Sequence, residues 1–298
     1  MEIIKSLTNC YSKMSNFGKV LIFTALLLLV VIFFRSIVPV TESFTGTEKF
    51  LFKQGQAVYD DFYADVYDYL VYNVIKNDYE VGVIFNTTTP TTKSIIADIG
   101  CGTGHHVDKL SSRNIDIIGV DISPSMVEKA KQLYPYRQNQ FIVGDGLDGH
   151  LFKNNSLTHI LCLYFTIYYM QDKMKFFYNC MDWLMPGGYL IIHLVDKYKF
   201  DPILPPGNPL YIVSPQKYAK ERITSTKITF NDFVYDANFK LDSNDIAVFD
   251  EKFKFNDGRV RKQEQKLYME DLPTIVNMAQ DAGFLLHAKI DLVKCGYE

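Results

Sequence analysis

The sequence predicts an α/β fold: a doubly wound, mostly parallel sheet with helices on both faces, extended by an antiparallel β-rich insertion and an N-terminal transmembrane helix. Three observations carry that prediction. Between residues 94 and 195, short apolar runs alternate with helical stretches, the pattern of a parallel sheet buried on both sides. Between 227 and 269 the apolar runs follow one another directly, with Asn256-Asp257-Gly258 as a hairpin turn. Residues 20–34 (VLIFTALLLLVVIFF) hold Thr24 as their single polar side chain.

Residues 1–19 form a tail ahead of the apolar segment. With the Arg35 side chain snorkelling, the apolar run continues to Val40. At 1.5 Å per helical residue, 20–40 then spans about 31 Å, roughly the hydrocarbon core of a bilayer. It lacks the polar face of a core helix, and no small-x-small cleavage site follows at 35–42. A single-pass membrane anchor, kept in the mature chain, is expected there. Lys5, Lys13 and Lys19 before it balance Arg35, Lys49 and Lys53 after it, so flanking charge assigns no orientation. Residues 41–49 read as a polar linker.

Beyond the linker, Val58, Phe62, Val66, Leu70 and Val74 recur every four residues beside the row Tyr59, Tyr63, Tyr67 and Val71. That period predicts an amphipathic helix of about five turns. Residues 86–92 (NTTTPTT) are a loop around Pro90. Strands are expected at 94–98, 115–121, 140–145, 157–163 and 189–195. Helices are expected near 104–112, from Pro124 with Ser123 as N-cap, and at 171–184 before Pro186-Gly187-Gly188. Prolines at 202, 205, 206, 209 and 215 then make the chain irregular. Strands at 227–239, 246–255 and 259–269 follow, then a helix at 271–282 ending at Gly283 and a last strand at 284–293. The expected division is a ligand-binding core at 50–195, an insertion at 196–270, and 271–298 completing the core.

Composition narrows the function. With 48% hydrophobic and 22% charged residues, the chain is neither disordered throughout nor a coiled coil. Five cysteines without a C-x-x-C pair point to neither a disulfide framework nor a structural zinc site. Residues 1–49 hold five Lys/Arg against three Asp/Glu, while the whole chain carries −3, so the remainder is net acidic. Such a body is a poor partner for the phosphate backbone of long nucleic acid. No metal site is expected: His105 and His106 diverge on one helix and no third ligand is indicated. Asn86-Thr87-Thr88 and Asn154-Asn155-Ser156 fit the glycosylation sequon.

The most informative stretch is Ile96-Ala97-Asp98-Ile99-Gly100-Cys101-Gly102-Thr103-Gly104, a strand running into three alternate glycines just before a helix. Glycine admits close ligand approach and positive φ, and the helix start presents free N–H groups. Asp121 ends the next strand, where a carboxylate can accept both hydroxyls of a ribose. Asp145 ends the third, where one can accept from an adenine amino group. Three such signals at successive strand C-termini mark the ligand edge of an open α/β sheet. The sixth position of the glycine pattern is His105, which departs from the G-x-G-x-x-G of nicotinamide dehydrogenases.

In these motifs, and in Leu184-Met185-Pro186-Gly187-Gly188 before a strand, the chain resembles the class I S-adenosylmethionine-dependent methyltransferases over about 170 residues, with their Rossmann-like fold. The stretch Tyr164-Phe165-Thr166-Ile167-Tyr168-Tyr169, with Asn179-Cys180 and residues 188–195, is similar to a subgroup seen in large DNA viruses and environmental microbes. The resemblance implies S-adenosylmethionine as cofactor. It implies that Gly100, Cys101, Gly102 and Gly104 surround the methionine part, Asp98 positions its amino group and Asp121 holds the ribose. Asp145 and Gly146 then flank the adenine, Ile122 and Met126 sandwich it, and Leu163 and Tyr164 line the methyl-donor pocket. The Tyr59/Tyr63/Tyr67 row resembles the family's cover helix, or else packs as aromatic core.

Tyr164, Tyr168, Tyr169, His193 and Asp196 are expected to face the acceptor, with no base assigned among them and His193 equally readable as a core histidine. No Asn/Asp-Pro-Pro-aromatic motif follows the fourth strand, which argues against methylation of adenine amines. The family's terminal antiparallel strand pair is incomplete at Tyr297-Glu298, unless a strand from 226–269 substitutes. The implied function is a membrane-anchored methyltransferase acting on a small molecule, lipid or protein. The alternative is a non-catalytic cofactor-binding module that holds a partner through the insertion. The domain is expected to face the cytosol, where the methyl donor is made and free thiols persist.

Overall fold

The structure, a computed structural model, describes residues 15, 18–20, 23–25, 49–200 and 220–292. The chain divides into two units, Met1–Thr41 and Glu42–Glu298, and the folded elements below belong to the second.

The transmembrane helix expected over 20–40 is corrected. Among the described residues no helix is long and apolar enough to cross a membrane. Within that segment the described helical residues are Val20 and 23–25, against the roughly 20 that a span requires. The rest of 20–40 lies outside the described residues, as does most of the tail 1–19 and the linker 41–49. The single-pass membrane localisation, and the sidedness argued from it, rested on that span and fall with it.

The second unit opens on a short strand, β1 (Phe50–Gln54), which the helical reading of this region did not include. Helix α1 runs over Asp61–Val71, within the five-turn helix expected up to Val74, and a second helix, α2, follows over Val74–Thr88. The break is local chemistry. The Asn73 side chain accepts hydrogen bonds from the N–H groups of Ile75 and Lys76 and caps a new helix. Helix α2 runs further into the NTTTPTT stretch than expected, to Thr88. It ends at Thr89, which takes left-handed backbone at φ 46°, and Pro90 beyond it disfavours any continuation of the right-handed helix.

Five strands then form a parallel sheet: β2 (Ile95–Ile99), β3 (Asp116–Asp121), β4 (Phe141–Val143), β5 (Leu157–Cys162) and β6 (Leu184–Ile192). Between them lie α3 (His105–Ser111), α4 (Pro124–Leu133), the short α5 (Thr166–Tyr169) and α6 (Lys173–Trp183). Ser123 caps α4 by accepting from the N–H of Met126, with Pro124 in the first turn, as its sequence predicts. The strand order β4-β3-β2-β5-β6 reverses at β2, so the crevice beyond its C-terminal end is a topological switch point.

The insertion forms a second sheet of order β1-β10-β9-β8-β7. Its strands are β7 (Ser225–Thr229), β8 (Phe233–Leu241), β9 (Ile246–Phe255) and β10 (Val260–Tyr268), mutually antiparallel, with β1 parallel to β10. The single strand expected at 227–239 is two, folded at residues 230–232 where Phe230 N–H donates to the Phe233 carbonyl. None of these strands pairs with β6, so of the two alternatives for the terminal strand pair, substitution by a strand from 226–269 does not occur. Helix α7 (Leu272–Asp281) follows, capped by Asp271. The strand expected at 284–293 is also corrected: 284–290 carry no strand, since a strand exists only through a paired neighbour, and 293 lies outside the described residues.

One apolar cluster joins Ile99, Ile160, Phe176 and Trp183 of the parallel layer to Phe239, Ala247 and Leu267 of the antiparallel sheet. A second, on Val81, Ile96, Val107, Ile117 and Val127, packs α2, α3 and α4 with the parallel sheet.

Candidate active site

The three loop glycines all adopt left-handed backbone, φ 74° at Gly100, 55° at Gly102 and 85° at Gly104. A Cβ would lie 2.5 Å from Thr166 at Gly100 and 2.5 Å from the Phe141 ring at Gly104, so only glycine fits both conformation and space. The N–H groups of Gly100 and Cys101 donate to the Val120 carbonyl at 2.8 and 3.0 Å, which seats the loop on β3.

Asp121 faces back across this loop. Its carboxylate accepts from the N–H groups of Gly102 and Ser123, each at 2.9 Å. Burial raises its pKa while those two hydrogen bonds oppose the rise. Asp98 is 2% exposed at the end of β2, and burial lifts its carboxyl to about 6, against the nearby His106. Asp145 is exposed beyond β4 and accepts from Leu147 N–H at 2.9 Å. Gly146 beside it is buried, and Asn179 of α6 donates to its carbonyl at 3.1 Å, which fixes that loop. Ile122 presents apolar surface to the crevice, whereas Met126 is almost fully covered beneath Gly102.

On the far side of the glycine loop, Leu163 is buried and Tyr164 is held at φ 53°, an uncommon conformation for a bulky residue. Its N–H donates to His193 Nδ1 at 3.0 Å and its hydroxyl to the Val71 carbonyl at 3.3 Å. His193 therefore carries its proton on Nε2, and burial pushes its pKa down to about 4. One of the residues expected to face the acceptor does not: Tyr168 is fully buried and bonded to the Val195 backbone. Tyr164, Tyr169, His193 and Asp196 do line the crevice, Asp196 also accepting from Tyr198 N–H.

Helix α1 closes over the loop. Tyr67 lies against Gly102, Thr103 and His105 both bond Asp68, at 2.6 and 2.9 Å, and Ser123 Oγ donates to the Tyr59 carbonyl at 2.6 Å. His106 pairs with Glu80 of α2 at 2.7 Å. Both histidines of the pair are thus committed to carboxylates on the two covering helices.

Inside the antiparallel sheet, reaching the crevice through Gln265, is a buried polar group that the sequence reading did not single out. Glu251, Arg261, Gln263 and Gln265 are each no more than 2% exposed. A signal was present: Lys262, Glu264 and Lys266 mark the solvent face of β10, which turns Arg261, Gln263 and Gln265 inward. Glu251 accepts from the hydroxyls of Tyr63 and Tyr235 and from Nε2 of Gln263 and Gln265. Arg261 pairs with Asp60, the cap of α1.

Residues 97–192 match the methyltransferase domain family. This is a class I, S-adenosylmethionine-dependent methyltransferase domain. A dTDP-4-amino-2,3,4,6-tetradeoxy-D-glucose N,N-dimethyltransferase of Saccharopolyspora spinosa is 29% identical over 149 residues, 47% of this chain and 57% of that protein. The chain therefore spans little more than half the length of that relative. The CcbJ methyltransferase from Streptomyces caelestis superposes with a TM-score of 0.57 at 16% identity, covering 76% of this chain and 87% of that one. The sugar N-methyltransferase KedS8 from Streptoalloteichus gives 0.51 at 20% identity, covering 70% and 78%. The two structural likenesses show the fold. All three are bacterial, and nothing in them supports the narrower likeness to viral proteins.

The crevice fits the family's cofactor. Gly100 and Gly102 bring bare backbone to the crevice wall, and Asp98, Asp121 and Asp145 line it at or just past the ends of three adjacent strands.

Proposed function

We propose that this chain transfers a methyl group from S-adenosylmethionine to a small sugar-type acceptor that enters between the glycine loop and the antiparallel sheet. The observation that carries the proposal is the crevice itself: Asp98, Gly100, Gly102 and Asp121 on one wall, Tyr59, Tyr169 and Gln265 on the other. The name of the Saccharopolyspora relative supports an amino sugar as the acceptor class.

S-adenosylmethionine, when bound, supplies an electrophilic methyl group on a sulfonium. The chain's residues bind and align. Gly100, Cys101, Gly102 and Gly104 surround the methionine portion, Asp98 holds its ammonium and Asp121 takes the ribose hydroxyls. Asp145 and Gly146 flank the adenine against Ile122 and Met126, and Leu163 and Tyr164 close the methyl end. Alignment and exclusion of water supply most of the rate, and an amine acceptor needs no strong base. His193, neutral, orients Tyr164 in this reading by accepting its N–H at Nδ1, and removes no proton.

Incubating the full chain with S-adenosylmethionine and dTDP-4-amino-2,3,4,6-tetradeoxy-D-glucose tests the proposal by mass spectrometry. Product heavier by one or two methyl groups is expected. Unchanged sugar nucleotide, with the methyl donor intact, would contradict this acceptor class.

A further inference from the structure

We infer that Tyr59 and Tyr169 form an acceptor-binding site for an amine nitrogen, and that the remote carboxylate Glu251 sets the hydrogen-bond direction that makes the site specific for N–H donors. The inference rests on the methyltransferase reading above and adds the atoms that recognise the acceptor.

Glu251 lies in the middle of β9, 2% exposed. Four side chains aim donors at it: Tyr63 at 3.1 Å, Tyr235 at 2.7 Å, Gln263 Nε2 at 2.6 Å and Gln265 Nε2 at 3.1 Å. Four donors converging on one carboxylate fit its ionised form, which only accepts. Gln265 must then turn its amide nitrogen toward Glu251, because the opposite orientation would set its oxygen against the carboxylate. Its oxygen is thereby aimed outward, and it accepts from the hydroxyls of both Tyr59 and Tyr169. Gln263 is aligned in the same way, since its oxygen accepts from Arg261 at 2.8 Å while its nitrogen serves Glu251.

The consequence falls on the two phenols. Tyr169 gives its proton to the amide oxygen, and the Tyr59 proton is shared between that oxygen and the Tyr169 hydroxyl. Both protons are thus held within the cluster, and each phenol keeps a lone pair for the crevice. Their rings stand edge to face, 6.1 Å apart between centroids, and both line the crevice with Gly100, Gly102 and Asp121. A primary amine that gives one N–H to each phenol has its lone pair left over for the methyl group. The N–C bond then forms as the methyl–sulfur bond breaks with its electron pair returning to sulfur, and the new ammonium loses its proton to water. A carbonyl, carboxylate or phosphate brings no proton to these phenols and is rejected. A hydroxyl has one proton and satisfies one phenol.

The test uses the full chain and two amine probes, the dTDP-amino sugar named above and cyclohexylamine, with cyclohexanol in parallel. Calorimetry with S-adenosylhomocysteine comes first; absence of binding there would sink the methyltransferase reading itself, and this inference with it. With that binding intact, methyl incorporation into at least one amine should exceed that into cyclohexanol at least tenfold. Glu251→Gln should reduce that ratio at least tenfold while the Kd for S-adenosylhomocysteine changes less than twofold. Tyr169→Phe, which keeps the ring, should raise KM for the amine more than it lowers kcat. General damage to the fold would lower both acceptors together and weaken S-adenosylhomocysteine. An unchanged amine preference in Glu251→Gln, or no amine methylated by a chain that binds S-adenosylhomocysteine, overturns the inference.

Discussion

Asp121 and Asp98 occupy neighbouring strand ends, and their surroundings give them different consequences. Asp121 is aligned by two backbone N–H groups and stays oriented toward the crevice. Asp121→Ala should weaken S-adenosylhomocysteine by roughly ten- to a hundredfold, the equivalent of about 1.5–3 kcal/mol for a charged hydrogen-bond acceptor. Calorimetry checks this, and an unchanged Kd would remove Asp121 from the cofactor site. Asp98 is held at a cost. Its folded pKa, about 6, lies above its ordinary value of 3.8, so its proton stabilises the fold fully below 3.8 and that contribution is lost as pH rises through 6. Across those two units the loss is about 3 kcal/mol. Asp98→Asn escapes it, so without cofactor the variant should melt higher than the wild type at pH 8 and together with it near pH 4. It should also bind S-adenosylhomocysteine more weakly. A melting difference that is the same at both pH values would show that the burial of charge is not its cause.

Elements carry the glycine loop, and their legibility in the sequence varied with what makes each one. The βα alternation from 95 to 192 was readable because its strands are buried on both faces and its helices are capped by their own residues, Ser123 being the clearest. Gly100, Gly102 and Gly104 were readable as a strand-to-helix turn, and all three take positive φ, while Asp121 was readable as the end of β3. The break at Tyr72 and Asn73 was not, because heptad-like spacing continues through it and one side chain decides the cap. Strands β1 and β7 owe their existence to partners 210 and about a dozen residues away, which local pattern cannot show. The buried polar face of β10 escaped notice because the alternation of Arg, Lys, Gln and Glu contains no apolar period until Leu267. The loop itself makes a firm prediction. Gly104→Ala places a Cβ within 2.5 Å of the Phe141 ring at φ 85°, and should cost about 2 kcal/mol or more in chemical denaturation. A variant as stable as the wild type would show that Phe141 and the loop yield freely.

At the scale of the second unit, the antiparallel sheet is part of the core that supports the cofactor crevice. Trp183, the chain's single tryptophan, is fully buried in the parallel layer and shares its apolar cluster with Phe239 and Leu267 of the insertion. Phe239→Ala, in the antiparallel sheet, should therefore cost about 3–5 kcal/mol and move the Trp183 fluorescence transition with the circular dichroism transition. A Trp183 midpoint that stays put would mean the two sheets unfold separately.

The account turns on one claim, that the crevice where the strand order reverses at β2 is a site for S-adenosylmethionine. Calorimetric titration of the full chain with S-adenosylhomocysteine, with a nicotinamide dinucleotide in a parallel cell, tests it most directly. Saturable binding of one S-adenosylhomocysteine per chain and none of the dinucleotide is the predicted result. No heat with S-adenosylhomocysteine, or preference for the dinucleotide, would contradict it.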